Sequence, residues 1–155
     1  MLKRSLFLFL ACALLTQPVQ AFEIPFVHHP NTSKAGQAAY VADTPAGSVH
    51  ATDDGIAYLL QGDDEKRWVI REMPVAPRSM ALKAALPSPT RIHRFRGRDP
   101  QNWQSDLPTF SEVAYRSIWD GIDLRLRAGN RSVEKIFHIA PGVQPETIAM
   151  VVDGS

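Results

Sequence analysis

Twelve prolines and nine glycines are spread along the 155 residues instead of gathering in one tract, and beyond the first segment they cut the chain into pieces of strand length. A proline inside a helix removes a hydrogen bond and clashes with the preceding turn, at a cost of about 3 kcal/mol, whereas a strand of five or six residues only needs its breaks at its ends. The punctuation therefore predicts a mainly β, antiparallel fold with short strands. The expected strands are Gln37 to Asp43, Ser48 to Thr52, Ile56 to Gln61, Trp68 to Met73, Arg91 to Phe95, Phe110 to Tyr115, Val133 to Ile139 and Ile148 to Val152. Thr44-Pro45-Ala46-Gly47 and Asp53-Asp54-Gly55 have the residue chemistry of turns. Ser79 to Leu86 fits a helical turn and a loose strand equally well.

One more strand is the clearest of all. Ile122, Leu124 and Leu126 alternate with Asp123, Arg125 and Arg127, giving an apolar and a charged face at period two. Gly129-Asn130 then separates it from Val133 to Ile139, which predicts a hairpin whose tight turn uses the tolerance of Gly and Asn for positive φ. Charge pairing of Asp123, Arg125 and Arg127 with Glu134 or Lys135 is the expected use of the polar face. The layers this pattern builds are those of a β-sandwich-like module. Asp153-Gly154-Ser155 reads as a turn entering a further strand, so the sandwich is expected to be incomplete, truncated at its C-terminal end, with Ile148 to Val152 awaiting a partner.

The first 21 residues belong to a different class. Lys3 and Arg4 precede an apolar run from Leu6 to Leu15, and Val19-Gln20-Ala21 places small residues where a signal peptidase reads them. This predicts a signal-peptide helix over residues 1–21, an irregular lead-in over 22–36 and a β-rich domain over 37–155. The apolar run is shorter than the roughly 20 residues that span a bilayer, which argues against an anchor and leaves no transmembrane segment in the mature chain. Phe9-Leu10-Ala11-Cys12 loosely imitates a lipobox, and acylation of Cys12 would tether the protein. The apolar run continues past Cys12, which favours cleavage after Ala21 and an exported, extracellular, cell-surface or periplasmic product.

Composition then excludes several functions. Losing Lys3 and Arg4 leaves 15 basic against 16 acidic residues, a near-neutral chain without the basic footprint of a nucleic-acid binder. The single cysteine departs with the leader, removing disulfides, thiolate metal sites and a cysteine nucleophile. There is no Gly-x-Ser-x-Gly elbow, no phosphate loop and no other cofactor motif.

A longer pattern occupies the C-terminal half: Arg96-Gly97-Arg98-Asp99-Pro100-Gln101-Asn102-Trp103, Leu107-Pro108-Thr109-Phe110, Val113, Tyr115, Gly121-Ile122-Asp123-Leu124, Glu134, Phe137 and Ala140-Pro141-Gly142-Val143. From Arg91 to Gly154 it resembles the N-terminal domain found ahead of SBBP-type β-propeller repeats. Gly36-Gln37 and Tyr40-Val41-Ala42 resemble that domain's opening, while Trp119-Asp120 stands where the family has an aromatic-proline pair. The resemblance implies a bacterial exported or cell-surface module, with no catalytic residues to carry over and with downstream propeller repeats or other surface components as partners.

The motif residues suit structural roles. Asp99-Pro100 suits a turn start, Trp103 would pin its loop to the core with the indole N–H on a carbonyl, and Gly121 would relieve a position that a Cβ blocks. Pro108, Tyr115, Asp123, Pro141 and Gly142 complete this structural set. His28, His29, His50, His93 and His138 lack ligand spacing, and Asp53-Asp54-Gly55 and Gly62-Asp63-Asp64-Glu65 lack the alternation of a calcium loop, so no metal is expected. Trp68, Trp103, Trp119 and Tyr115 are weighed as sugar-stacking residues; core packing is the better reading, with Trp103 and Trp119 kept as the candidate ligand contacts. Three functions follow in order: a non-enzymatic structural or adhesive module, a carbohydrate- or surface-ligand-binding module, and a secreted hydrolase using Asp120 and Asp123.

Overall fold

A computed structural model describes residues 24–29, 38–62, 66–95 and 97–154. The leader, Cys12, the Gly36-Gln37 segment and the acidic loop 63–65 lie outside the described residues. Antiparallel strands dominate, as the alternation requires. They are β1 Phe26–His28, β2 Ala38–Thr44, β3 Gly47–Thr52, β4 Ile56–Gln61, β5 Arg67–Pro74, β6 Leu82–Arg94, β7 Gln104–Trp119, β8 Ile122–Ala128, β9 Val133–Ile139 and β10 Met150–Gly154. They form one open sheet in the order β10-β5-β4-β3-β2-β1-β7-β8-β9, with β6 on the other edge of β7.

The 16 residues of β7 join two limbs. Near its middle it pairs with β1, Phe26 opposite Phe110, and towards its end with β8, Val113 opposite Leu126. The limbs then face each other. Tyr40, Ala42, Val49, Ala51 and Ile56 from one share a buried cluster with Val113, Tyr115, Ile122, Leu124 and Leu126 from the other. That shared cluster makes the fold a β-sandwich-like module. In β8 the apolar face predicted from period two is the buried one.

Several expectations are corrected. The lead-in over 22–36 is not wholly irregular: Phe26 to His28 form β1, with Phe26 fully buried. Ser79 to Leu86 and Arg91 to Phe95 resolve largely into one 13-residue strand, β6. Pro87 and Pro89 lie within it, and its register on β7 shifts four times, as suits an edge strand that can forgo donors. The β8–β9 hairpin forms with Ala128 opposite Val133, but neither Gly129 nor Asn130 has positive φ; a four-residue loop closes through Gly129 N–H on Ser132 O at 2.8 Å. Asp153 and Gly154 continue β10, which already has β5 as its ladder partner, Val152 opposite Glu72.

Tyr115 fastens the limbs together. Fully buried on β7, it donates its hydroxyl to Thr52 O at 2.8 Å and Gly55 O at 2.6 Å on the β3–β4 turn. Burial pushes the phenol far above its ordinary pKa, so it remains a neutral donor. At Gly55, φ is +152° and a Cβ would collide with the backbone of Glu72, so glycine is required for the close approach. Tyr115→Phe keeps the packing and removes the donor. It is expected to lower the unfolding free energy by about 1 kcal/mol, against about 3–5 kcal/mol for Tyr115→Ala, measured by urea denaturation.

Candidate functional site

Where β7 meets β8, the backbone is bent and the charges gather. Ser117 has φ +49°, and the β7–β8 register shifts between Tyr115 and Trp119, the mark of a bulge. Such a bulge leaves a backbone N–H out of the ladder. Asp123 takes it: Oδ1 accepts from Ser117 N at 2.7 Å, while Oδ2 accepts from Arg116 Nη1 at 2.8 Å. The Ser117 N–H and, opposed only by partial burial, the Arg116 guanidinium hold this carboxyl below the usual carboxylate range. Its partner is therefore Arg116, and not Glu134 or Lys135 across the hairpin.

The remaining charges are committed in the same way. Glu112, 5% exposed, accepts from Arg127 Nε at 2.6 Å and lies 3.5 Å from Arg125 Nη1. Lys135 reaches across the sandwich to Glu72 at 2.6 Å, and Tyr58 donates to the same carboxylate at 3.0 Å. Asp120, in the tight turn before β8, pairs with Arg78. Asp120 and Asp123 are thus separately occupied.

The other motif residues sit as follows. Gly121 has φ +67°, and a Cβ there would lie 2.6 Å from Val143 Cγ2, so the turn nests against the Pro141-Gly142 turn, where Gly142 has φ +83°. Ala140 N–H bonds Gly121 O at 2.8 Å. Trp119 is 4% exposed and donates its indole N–H to Val75 O at 2.9 Å, so it is a core residue and not a surface ligand contact. Asp99 caps the short 3-10 turn Pro100–Asn102 by accepting from Gln101 N at 2.9 Å. Trp103 does find a carbonyl, Gly97 O at 3.3 Å, yet it is 43% exposed and packs edge-on against the exposed Phe95, away from the core. Pro108 lies in β7 opposite Arg91.

His28, His29 and His50 lie near one another, while His93 and His138 stand apart from them. Among the described residues no three His, Cys, Asp or Glu side chains come together as a metal site. His50 Nε2 lies 2.8 Å from Ser48 Oγ. His29 Nε2 lies 2.7 Å from Arg94 Nη1; arginine can only donate, so this ring nitrogen accepts and the imidazole is neutral. Burial first, and Arg94 next, lower the His29 pKa, and burial lowers that of His50. No helix among the described residues is long and apolar enough to cross a membrane.

The sequence-predicted set is thus brought together in part: Tyr115, Gly121, Asp123, Pro141 and Gly142 serve the β7–β8 end, while Asp99, Pro100 and Trp103 form a separate surface loop. Trp68, weighed in the sequence and assigned to the core, is instead 45% exposed and lines a cavity in the other limb. A family model described as "Domain of unknown function (DUF7948)" matches residues 26–155, beginning at β1. No curated protein and no solved structure matches the chain.

Two pH effects follow. As pH falls below about 6.5 the unfolded chain protonates its histidines before the folded one does, so His29 and His50 withdraw stability on the acid side. The double variant His29→Asn/His50→Asn is expected to flatten the stability profile between about pH 7 and 5. Asp123 acts lower: its contribution is full above the ordinary carboxyl pKa and is lost as pH falls through the depressed folded value. Asp123→Ala is expected to cost about 1–2 kcal/mol at pH 7 and progressively less below about pH 4, read from urea midpoints across pH.

Proposed function

We propose that this chain, which belongs to the DUF7948 domain family, is a non-catalytic structural or adhesive module of an exported bacterial protein. The observation that carries the reading is the commitment of the motif carboxylates to architecture. Asp123 holds a bulge N–H and Arg116, Asp120 pairs with Arg78, and Glu112 is buried against two arginines. A hydrolase would need one of them poised to exchange a proton with substrate, and the depressed pKa of Asp123 works against that. The charged n-region, short apolar run and cleavage motif of residues 1–21 support export. The resemblance of Arg91 to Gly154 to the domain ahead of SBBP-type repeats supports a place beside propeller repeats or other cell-surface components.

Fractionation with N-terminal sequencing tests the reading. A C-terminally tagged chain expressed in a bacterial host is expected in the periplasm or medium with Phe22 as its first residue. Recovery in the cytoplasm with Met1 retained would contradict it, and recovery as a lipid-modified form beginning at Cys12 would replace release with tethering.

A further inference from the structure

The tip of β6 is fastened at two consecutive residues, and a histidine ring nitrogen is the acceptor at each. Arg94 Nη1 donates to His29 Nε2, just past β1, at 2.7 Å, and Asp106 N on β7 donates to His93 Nδ1 at 3.2 Å. We propose that the two rings form an acid-sensitive latch: protonation of His29 and His93 lets residues 92–94 of β6 open away from β1 and β7 while the rest of the sheet stays paired. A guanidinium and a backbone N–H can only donate, so both ring nitrogens must be bare for these bonds to exist. An imidazolium donates from both of its nitrogens and has no acceptor left. Acid therefore removes both fastenings and sets a cation beside Arg94.

The tip depends on these acceptors because its ladder is interrupted. Asp106 has φ +56°, and between Ile92 opposite Leu107 and Arg94 opposite Gln104 strand β7 carries one residue more than β6, the mark of a second bulge. The N–H of that bulge is the one His93 accepts. Upstream, Thr109 Oγ1 donates to Thr90 O at 2.5 Å, an anchor that does not titrate, so residues 92–94 are the part that yields. Facing His29 are Arg94 of β6, His50 of β3, His28 of β1 and Asp43 of β2. Burial, Arg94 and the two histidines oppose a charge on the ring, and Asp43 alone favours it. The latched His29 thus titrates below the ordinary imidazole value and the released one at it, so the closed form holds above about pH 6.5 and weakens as pH falls below. On the His93 side, Asp106 and Arg91 lie 3.8 Å apart as each other's counterion. His93 also stacks on Phe95 at 6.2 Å, and Phe95 meets Trp103 edge-on at 5.3 Å, which couples the exposed aromatic pair to the tip.

Amide exchange resolved by NMR, expressed as protection factors at about pH 7.5 and about pH 5.0, tests the latch. The amides of Asp106 and of residues 92–94 are expected to lose protection by at least about fivefold on acidification, about 1 kcal/mol. At the lower pH their exchange should not respond to low concentrations of urea, as suits a local opening, whereas that of the buried Leu124 and Leu126 should. The variant His29→Gln/His93→Asn places amide oxygens where Nε2 and Nδ1 accept, and these do not titrate; its tip protection should agree at the two pH values within about twofold. Circular dichroism checks folding, and should the double variant not fold, the single ones decide, each being expected to reduce the loss. Unchanged tip protection in the unsubstituted chain overturns the proposal. So does an undiminished loss in the folded variants, or tip exchange at low pH that urea accelerates in step with Leu124 and Leu126.

Discussion

Strand β7 carries a double obligation. It must pair along both edges, with β6 on one side and with β1 and then β8 on the other, while its apolar residues face a core shared with β2 to β4. A flat strand cannot follow both limbs, and the bulge at Ser117 supplies the bend. Bending takes an N–H out of the ladder, and the carboxylate of Asp123 accepts it. Two residues earlier along the same strand, Tyr115 reaches through the core to two carbonyls of the β3–β4 turn. Apart from β7, among the described residues the limbs are joined in the sheet only by the three-residue β1.

This obligation explains why so much charge lies close to the core in pairs that run between strands. Moving Glu112 out of water is costly, and the cost is offset only because Arg125 and Arg127 approach it from β8. Glu72 is handled likewise, by Lys135 and Tyr58 from opposite sides of the sandwich. Each pair ties one strand to another. Trp68 differs in being half-exposed and outside the shared core, its ring resting on Gly62.

The sequence made the fold class legible because period-two alternation in β8 and turn chemistry around β3 and β4 are local signals; Ile56 to Gln61 and Val133 to Ile139 are strands with the expected bounds. What escaped it depends on distant partners. β1 is three residues long and flanked by prolines, too short to show a period, and is a strand only because β2 and β7 lie beside it. β6 is rich in Ala and Pro, with no alternation to distinguish strand from turn. For the aromatics, alternation reveals which face a residue takes but not how far the opposing layer extends. Hence core packing, the better reading for both, holds for Trp119, which is buried, and fails for Trp68, which is half-exposed beside a cavity.

If β7 makes the two limbs one cooperative unit, their slowest amides should open together. Native-state hydrogen exchange, resolved to peptides from β3–β4 and from β7–β8, reads this directly. Equal opening free energies for the two limbs, responding in parallel to low concentrations of denaturant, are the predicted result. One limb exchanging through a separate, much lower-energy opening while the other stays protected would contradict the account.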